Sequence, residues 1–231
     1  MIDFHTHILP GIDDGSQSIR ESVSLLREEK RQGIEAVVAT PHFYANENSP
    51  GDFLKKRERA WNRLEPYLWP ELPHIYLGAE VQYFEGICSV EDIEDLRIVG
   101  TQLLLVEMPF TKWSDRVIED VLELNDREGM QVVLAHIERY MAMQPDTIWQ
   151  ELRSCGLLMQ CNVSFFEGWR NKHRAMSMLK RGEIHFLGSD CHNMRSRRPN
   201  WDLLPSQAWK IAERGKAYDE FYGRDVFTDV L

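Results

Sequence analysis

Seven short apolar runs, each followed by a helical or loop-rich pattern, constrain this chain more than any other feature. They occupy residues 1–5 (MIDFH), 34–42 (IEAVVATPH), 74–81 (HIYLGAEV), 101–109 (TQLLLVEMP), 130–136 (MQVVLAH), 157–163 (LLMQCNV) and 183–190 (EIHFLGSD). Between them lie segments with helical periodicity. Ile19, Val23 and Leu26 form the apolar stripe of a helix from about Ser16 to Gln32, which Gly33 ends. Phe53, Arg57, Trp61, Leu64 and Leu68 share one face of a second helix. SVEDIEDL reads as a short third helix, and Val117, Ile118, Val121 and Leu122 mark a fourth. Further helices are predicted near 146–155, 170–181 and 205–214, ahead of an acidic, aromatic tail. Seven strand–helix units in a row predict parallel strands with right-handed crossovers. A barrel-like (βα)7 arrangement competes with an open doubly wound sheet. No Gly-x-Gly-x-x-Gly turn follows the first strand, which weakens a dinucleotide-binding version.

The chain has 231 residues and no compositional break, so one domain is expected over 1–231, with the barrel over about 1–200 and a C-terminal helix and tail over about 201–231. A formal net charge of −10 argues against non-specific binding to nucleic acid or to anionic membranes. The N-terminal MIDFHTH has no basic region or apolar run of the signal-peptide kind, and no segment approaches a membrane span. Cys88, Cys155, Cys161 and Cys191 include no C-x-x-C pair. Reduced thiols and a cytoplasmic location are therefore expected.

The chemistry collects where the apolar runs end. The first ends in His5 and His7, the second in His42, the third in Glu80, the fourth in Glu107, the fifth in His136, and the seventh in Asp190 and His192. Asp13 and Asp14 lie in the loop after the first strand. In α/β barrels the site lies at the C-terminal ends of the strands, so these side chains would converge there. Singly, each has an ordinary explanation. An H-x-H pair can be incidental, His42 can be a hydrogen-bonded core residue, and Glu80 or Glu107 can pair with an arginine. A buried unpaired carboxylate costs several kcal/mol, on the order estimated for buried ions, and a cation relieves that cost. The ordered set therefore points to a polynuclear metal site. Imidazole and carboxylate ligands without thiolate suit Mn, Fe or Zn. His74 and His185 begin strands and His173 sits in a charged helix, so all three are assigned structural or solvent roles.

One loop offers a different chemistry. GSDCHNMRSR places five residues between Cys191 and Arg197, the C-x5-R spacing of thiol-based tyrosine phosphatases. HNMRS contains no glycine to let backbone N–H groups wrap a phosphate, and Asp190 opposes thiolate formation. By strand alternation Asp190 and His192 face one side and Cys191 the other.

DFHTHILPGIDDG, TPH, GAEV, VEMPF, AHIERY and GSDCHN, in that order, resemble the PHP (polymerase and histidinol phosphatase) family, and LPGIDDG and AHIERY look most like its capsule-type bacterial protein-tyrosine-phosphatase branch. The resemblance runs from residue 2 to about 200. It implies a distorted (βα)7 TIM-like barrel with three divalent metals, Mn favoured. It also implies hydrolysis, by metal-bound hydroxide, of phosphotyrosine on bacterial tyrosine kinases that control capsule or exopolysaccharide production. The implied ligands are His5, His7, Asp14, His42, Glu80, Glu107, His136, Asp190 and His192, with Arg139 and Arg197 contacting phosphate. Ile137 stands where the branch often has proline, and Cys191 where a small or apolar residue is usual. Tyr44, Phe43, Phe110 and Trp113 could wall an aromatic-ring pocket or simply pack the rim. The competing functions are a PHP-type phosphatase of a small phosphomonoester such as histidinol phosphate, the Cys191 thiol phosphatase, and a metal-binding regulatory subunit.

Overall fold

The computed structural model describes residues 1–212; the last part of the predicted 205–214 helix and the acidic tail lie outside the described residues. Nine strands form: β1 (Ile2–Thr6), β2 (Ala36–Ala39), β3 (His42–Phe43), β4 (His74–Leu77), β5 (Glu80–Gln82), β6 (Leu103–Glu107), β7 (Gln131–Leu134), β8 (Leu158–Asn162) and β9 (Phe186–Gly188). Every pairing between them is parallel. They make a three-stranded sheet, β1-β2-β4, and a six-stranded sheet, β3-β5-β6-β7-β8-β9. A parallel bridge between Thr6 and Cys191 brings the chain after β9 back to β1. There the Asp190 N–H donates to the His5 carbonyl at 2.8 Å and the His7 N–H to the Cys191 carbonyl at 2.9 Å. The result is a mixed α/β domain with a curled parallel sheet.

Seven apolar runs become nine strands because two of them break. The second breaks between β2 and β3 at Thr40 and Pro41: proline brings no N–H to the ladder, and the Thr40 N–H turns to the Thr6 carbonyl at 2.8 Å. The third breaks between β4 and β5 at Gly78, whose carbonyl accepts from the Arg57 guanidinium at 2.8 Å. A Cβ there would stand 3.1 Å from Ile98 Cγ1. Arg57, expected to lay its stem along a helix face, is thus buried with its head paired to backbone.

The α-helices are α1 (Ile19–Arg31), α2 (Pro50–Leu64), α3 (Asp115–Asn125), α4 (Asp146–Ser154), α5 (Trp169–Lys180) and α6 (Ser206–Ala212). Ser18, Ser49 and Ser114 cap the first three, each accepting a backbone N–H of the first turn. The first helix starts later than predicted because Ser16 stays in the loop, bonded through Oγ to the Ser18 carbonyl and the Ser22 hydroxyl. The third predicted helix does not form. SVEDIEDL supplies only a 3-10 turn, Ile93–Leu96, preceded by Asp92 in the left-handed region at φ 64°. Eight residues are too few to repay helix nucleation without a strong apolar stripe.

Side chains alternate between the two faces of the sheet. Val37, Leu104, Val106, Val132 and Leu134 join the core that the helices cover. Ile2, Phe4, Val38, Leu105, Val133 and Phe186 form a second cluster. Both faces are therefore buried, as expected of parallel sheets. Polar side chains at the strand ends are forced into mutual contact.

Candidate metal centre

The ends of β1, β6 and β7, the start of β5 and the loop after β9 meet around Glu80, which opens β5 and is 1 % exposed. One of its oxygens, Oε2, lies 3.1 Å from His5 Nε2, 3.3 Å from His7 Nε2 and 3.1 Å from His42 Nδ1. The other, Oε1, lies 2.9 Å from His136 Nε2, which is also 3.3 Å from Glu107 Oε1. Asp190 Oδ1 stands 3.7 Å from His5 Nε2 and 3.6 Å from His7 Nε2. Asp14, on the exposed loop, reaches His42 at 3.6 Å and His192 at 3.4 Å. All nine residues that the family resemblance implies as ligands thus lie in one continuous cluster.

Three ligand groups emerge within it: His5, His7 and Asp190; His42, Glu80 and Glu107; and His7, Asp14, His42 and His192. Strand order by itself groups Glu80 with His5, His7 and Asp190, again with Glu107 and His136, and sets Asp14, His42 and His192 together, with Asp190 as a candidate fourth member. The geometry adds His7 to the third of these and brings His42 to the Glu80–Glu107 pair.

The donor set fits cations. His42 Nδ1, His136 Nδ1 and His192 Nε2 are buried without a hydrogen-bond partner. His42 Nδ1 and His192 Nε2 nevertheless sit within 3.4 Å of a carboxylate oxygen. Close approach without hydrogen-bond alignment is what a shared cation resolves. Burial depresses the His42 imidazole, and burial with the His7 charge takes His192 down to about 4, so both are in the neutral, coordinating form. Burial also depresses His7, but its bond to Asp13 and then Glu80 outweigh it and lift the group to about 10. For His136 the Glu107 and Glu80 carboxylates overcome burial in the same way, to about 9. Burial opposes ionisation of Glu80, yet the neighbouring imidazoles hold its carboxyl well below the usual range. The carboxylates thus draw protons onto His7 and His136, protons that a metal ion would have to displace.

Two backbone positions are bent to present ligands. His136 has φ 30° and Asp190 φ 53°, both in the left-handed region that non-glycine residues rarely occupy. Two glycines give the ligands room. A Cβ on Gly188 would lie 2.6 Å from His5 Cβ, and one on Gly15 would lie 2.3 Å from the His7 carbonyl oxygen.

Several residues support the site in roles that the sequence did not assign. Asp13 accepts from His7 Nδ1 at 2.7 Å and from the His42 backbone N–H at 3.0 Å, so it orients the His7 ring and fixes the backbone that carries His42. Gln160 Oε1 accepts from the His136 N–H and sits 3.3 Å from His5 Nδ1, while Asn162 Nδ2 donates to Asp190 Oδ2 at 3.0 Å. Asp3 braces β1 against β9 by accepting from the N–H groups of His5 and Ser189. The available signal was the i, i+2 pair Gln160 and Asn162 in an otherwise apolar strand.

Arg139 and Arg197 both bridge Asp190, Arg197 at 2.7 Å. Arg195 and Arg198 are exposed. Tyr44 stacks on His42 with centroids 5.2 Å apart, and Phe110, 49 % exposed, stacks on His136 at 5.9 Å. Phe43 and Trp113 are buried in the core instead, Phe43 against Phe53 and Trp113 between Tyr140 and Trp149. Cys191 is fully buried, and burial followed by the Glu29 and Asp3 charges pushes its thiol well up, away from thiolate. His74 opens β4 in solvent, His185 Nδ1 accepts the Met159 N–H at 3.0 Å, and His173 is exposed on α5 beside Trp169. Among the described residues no helix is long and apolar enough to cross a membrane.

A parallel α/β domain that gathers imidazoles and carboxylates at its strand ends is of the class that holds divalent metals for hydrolysis. The sequence profile of the CpsB/CapC family of capsular polysaccharide synthesis matches residues 1–229, and the chain belongs to that family. The tyrosine-protein phosphatase CpsB of Streptococcus pneumoniae is 32% identical, over 99% of this chain and 96% of its own. CpsB of Streptococcus agalactiae serotype V is 30% identical over 91% and 89%, and the tyrosine-protein phosphatase YwqE of Bacillus subtilis 28% over 85% and 79%. Among solved structures, those of YwqE and S. pneumoniae CpsB, described as unique metal-dependent tyrosine phosphatases, share the fold. The TM-score is 0.71 at 24% identity, over 96% of this chain and 90% of theirs. The resemblance drawn from the strand-end motifs, capsule branch included, agrees with these matches.

Proposed function

We propose that this protein is a metal-dependent tyrosine phosphatase acting on phosphotyrosine of bacterial tyrosine kinases that drive capsule or exopolysaccharide production. The carrying observation is the cluster of five imidazoles and four carboxylates at the strand ends of a chain in the CpsB/CapC family. We take the curled sheet as a distorted (βα)7 barrel over about 1–200 of a single-domain, cytoplasmic enzyme. The nine clustered residues would hold three divalent metals, Mn favoured with Fe or Zn as alternatives, with Glu80 as a ligand that two of them would share. Divalent ions held there supply a water acidified towards neutral pH and neutralise charge on the phosphoryl oxygens.

The chain's own groups do the rest. Arg139 and Arg197 converge on Asp190 and present paired N–H donors for the remaining phosphoryl oxygens. Tyr44 and Phe110 flank the entrance as ring-sized walls. Burial, then the Glu107 charge, pushes the Tyr44 hydroxyl up to about 12, so it stays neutral and does not repel a phosphate dianion. Asp13 and Gln160 fix the tautomer and tilt of His7 and His5, the supporting role that such partners play at metal sites. A tyrosyl leaving group has a pKa near 10 and departs with less proton assistance than an alkoxide.

The test is a substrate panel on metal-loaded protein: phosphotyrosine peptide, phosphoserine peptide and histidinol phosphate. Preferential turnover of the phosphotyrosine peptide is expected. Equal turnover of the two peptides, or faster cleavage of histidinol phosphate, favours the small-phosphomonoester reading.

Metal uptake should release protons. Before metal binds, His7 and His136 carry protons at pH 7.5, because their pKa values of about 10 and about 9 lie above it. Coordination needs both rings neutral. Apparent metal affinity should therefore rise with pH from 7 to about 10 and flatten above it. Calorimetry in buffers of different ionisation enthalpy should find about two protons released from these rings per chain as the whole cluster fills at pH 7.5.

A further inference from the structure

The mechanism leaves one feature unused, a groove on α2. The metal centre opens through a cavity of about 280 Å³ whose lining includes Asp13, Asp14, His42, Tyr44, Glu47 and Lys56, so the cations begin beyond an acidic mouth. A second cavity of about 370 Å³ shares Ile12 and Lys56 with it and continues past Pro10 and Gly11 to Arg59 and Arg63. Lys56, Arg59 and Arg63 fall within about 60° of one another around α2, so they form a single stripe. All three are exposed. Lys56 donates to the side chain of Asn48, a neutral partner. Arg59 and Arg63 have no carboxylate partner among the described residues. Glu58 is about 100° round the helix from Arg59, and Asp52 is taken by Lys55 at 3.3 Å. Arg63 lies against the loop that carries Asp13 and Asp14, since a Cβ on Gly11 would be 3.9 Å from its guanidinium.

In a chain of net charge −10, three such cations leading out of the active site form a local exception. We propose that this groove is an exosite holding an anionic stretch of the substrate protein, acidic side chains or further phosphotyrosines, beside the phosphotyrosine in the metal centre. The inference rests on the phosphatase reading above and adds a sequence preference to it. The general acidity of the protein repels an acidic peptide at long range. The α2 stripe reverses that field along one path, which selects peptides whose anionic residues lie in reach of it. Guanidiniums without internal partners give up no ion pair when they engage a carboxylate or phosphate, and their fork suits both.

The test uses metal-loaded protein and three peptides around one phosphotyrosine, flanked by neutral residues, by glutamates, or by a non-hydrolysable phosphotyrosine analogue. For the double variant Arg59→Glu, Arg63→Glu, KM for the anionic peptides should rise about tenfold or more with kcat kept, the scale of two exposed ion pairs lost and reversed. The neutral peptide and a small aryl phosphate should be unaffected. Arg59→Lys, Arg63→Lys should recover most of the loss, and high salt should erase the difference between peptides. A response to either anionic peptide supports the exosite and identifies which anion it takes. Equal KM changes for neutral and anionic peptides, or none for any, overturn it while leaving the phosphatase reading intact. Turnover of small phosphomonoesters with none of any peptide overturns both.

Discussion

Replacing Glu80 with glutamine should abolish metal occupancy and lower the phosphatase rate by at least ~10²-fold, beyond the losses typical when only a supporting partner of a metal ligand is changed. Glu80 faces four imidazoles, three through Oε2 and one through Oε1. No other carboxylate in the site touches as many. Glutamine keeps the shape and removes the charge, and its NH2 end turns a donor towards nitrogens that need an acceptor or a cation. The effect should be separable from unfolding. Without metal, the variant loses the carboxylate that the surrounding imidazoles hold ionised, so the metal-stripped variant should melt below metal-stripped wild type. With metal, only wild type should gain stability, because binding the native state alone raises stability by mass action. Unchanged metal content and rate in the variant would remove Glu80 from the site.

Asp190→Asn should be comparably damaging, and its neighbour should not matter. Asp190 sits at φ 53°, a conformation that asparagine tolerates better than most residues, so the loop should survive the change. What disappears is the charge that Arg139, Arg197, His5 and His7 surround. Two guanidiniums would lose their shared counter-charge, and a rate loss of about 10² or more is expected on the same grounds as for Glu80. His192→Ala should also lose most activity. Cys191→Ser should keep most of it, because Cys191 is buried, its thiol is held protonated, and only its backbone meets β1. The opposite pattern, with Cys191→Ser inactive and a phosphocysteine trapped in wild type, would return the C-x5-R loop to thiol chemistry.

The proposed ligands other than Asp14 were legible in the sequence because each stands at or just past the end of an apolar run, and a parallel sheet carries all such ends to one side. Their supports were less legible. Asp13 and Asp14 are adjacent and chemically identical in the sequence. Only the fold shows Asp13 turned in to His7 while Asp14 stays 65% exposed in side chain. Gln160 and Asn162 carry no charge, so they drew no notice although they bond to His5, His136 and Asp190. The rim aromatics divided for a similar reason. Phe43 and Trp113 have the composition of a ring pocket, and burial decides against them. Strand breaks at Pro41 and Gly78 and the missing third helix were local matters of backbone chemistry and length, and they left the placement of the site unaffected. The α2 stripe was hidden because Lys56, Arg59 and Arg63 read as the ordinary solvent face of an amphipathic helix. Only the packing of the Pro10–Ile12 loop against it makes a groove.

The central claim is that metal held by the strand-end residues, with no side-chain nucleophile, performs the hydrolysis. The most direct measurement is phosphotyrosine-peptide turnover by one preparation taken through chelation, elemental analysis and Mn re-addition. Activity should fall with measured metal content to background and return as Mn is restored. Full turnover by protein verified to be metal-free would contradict the account.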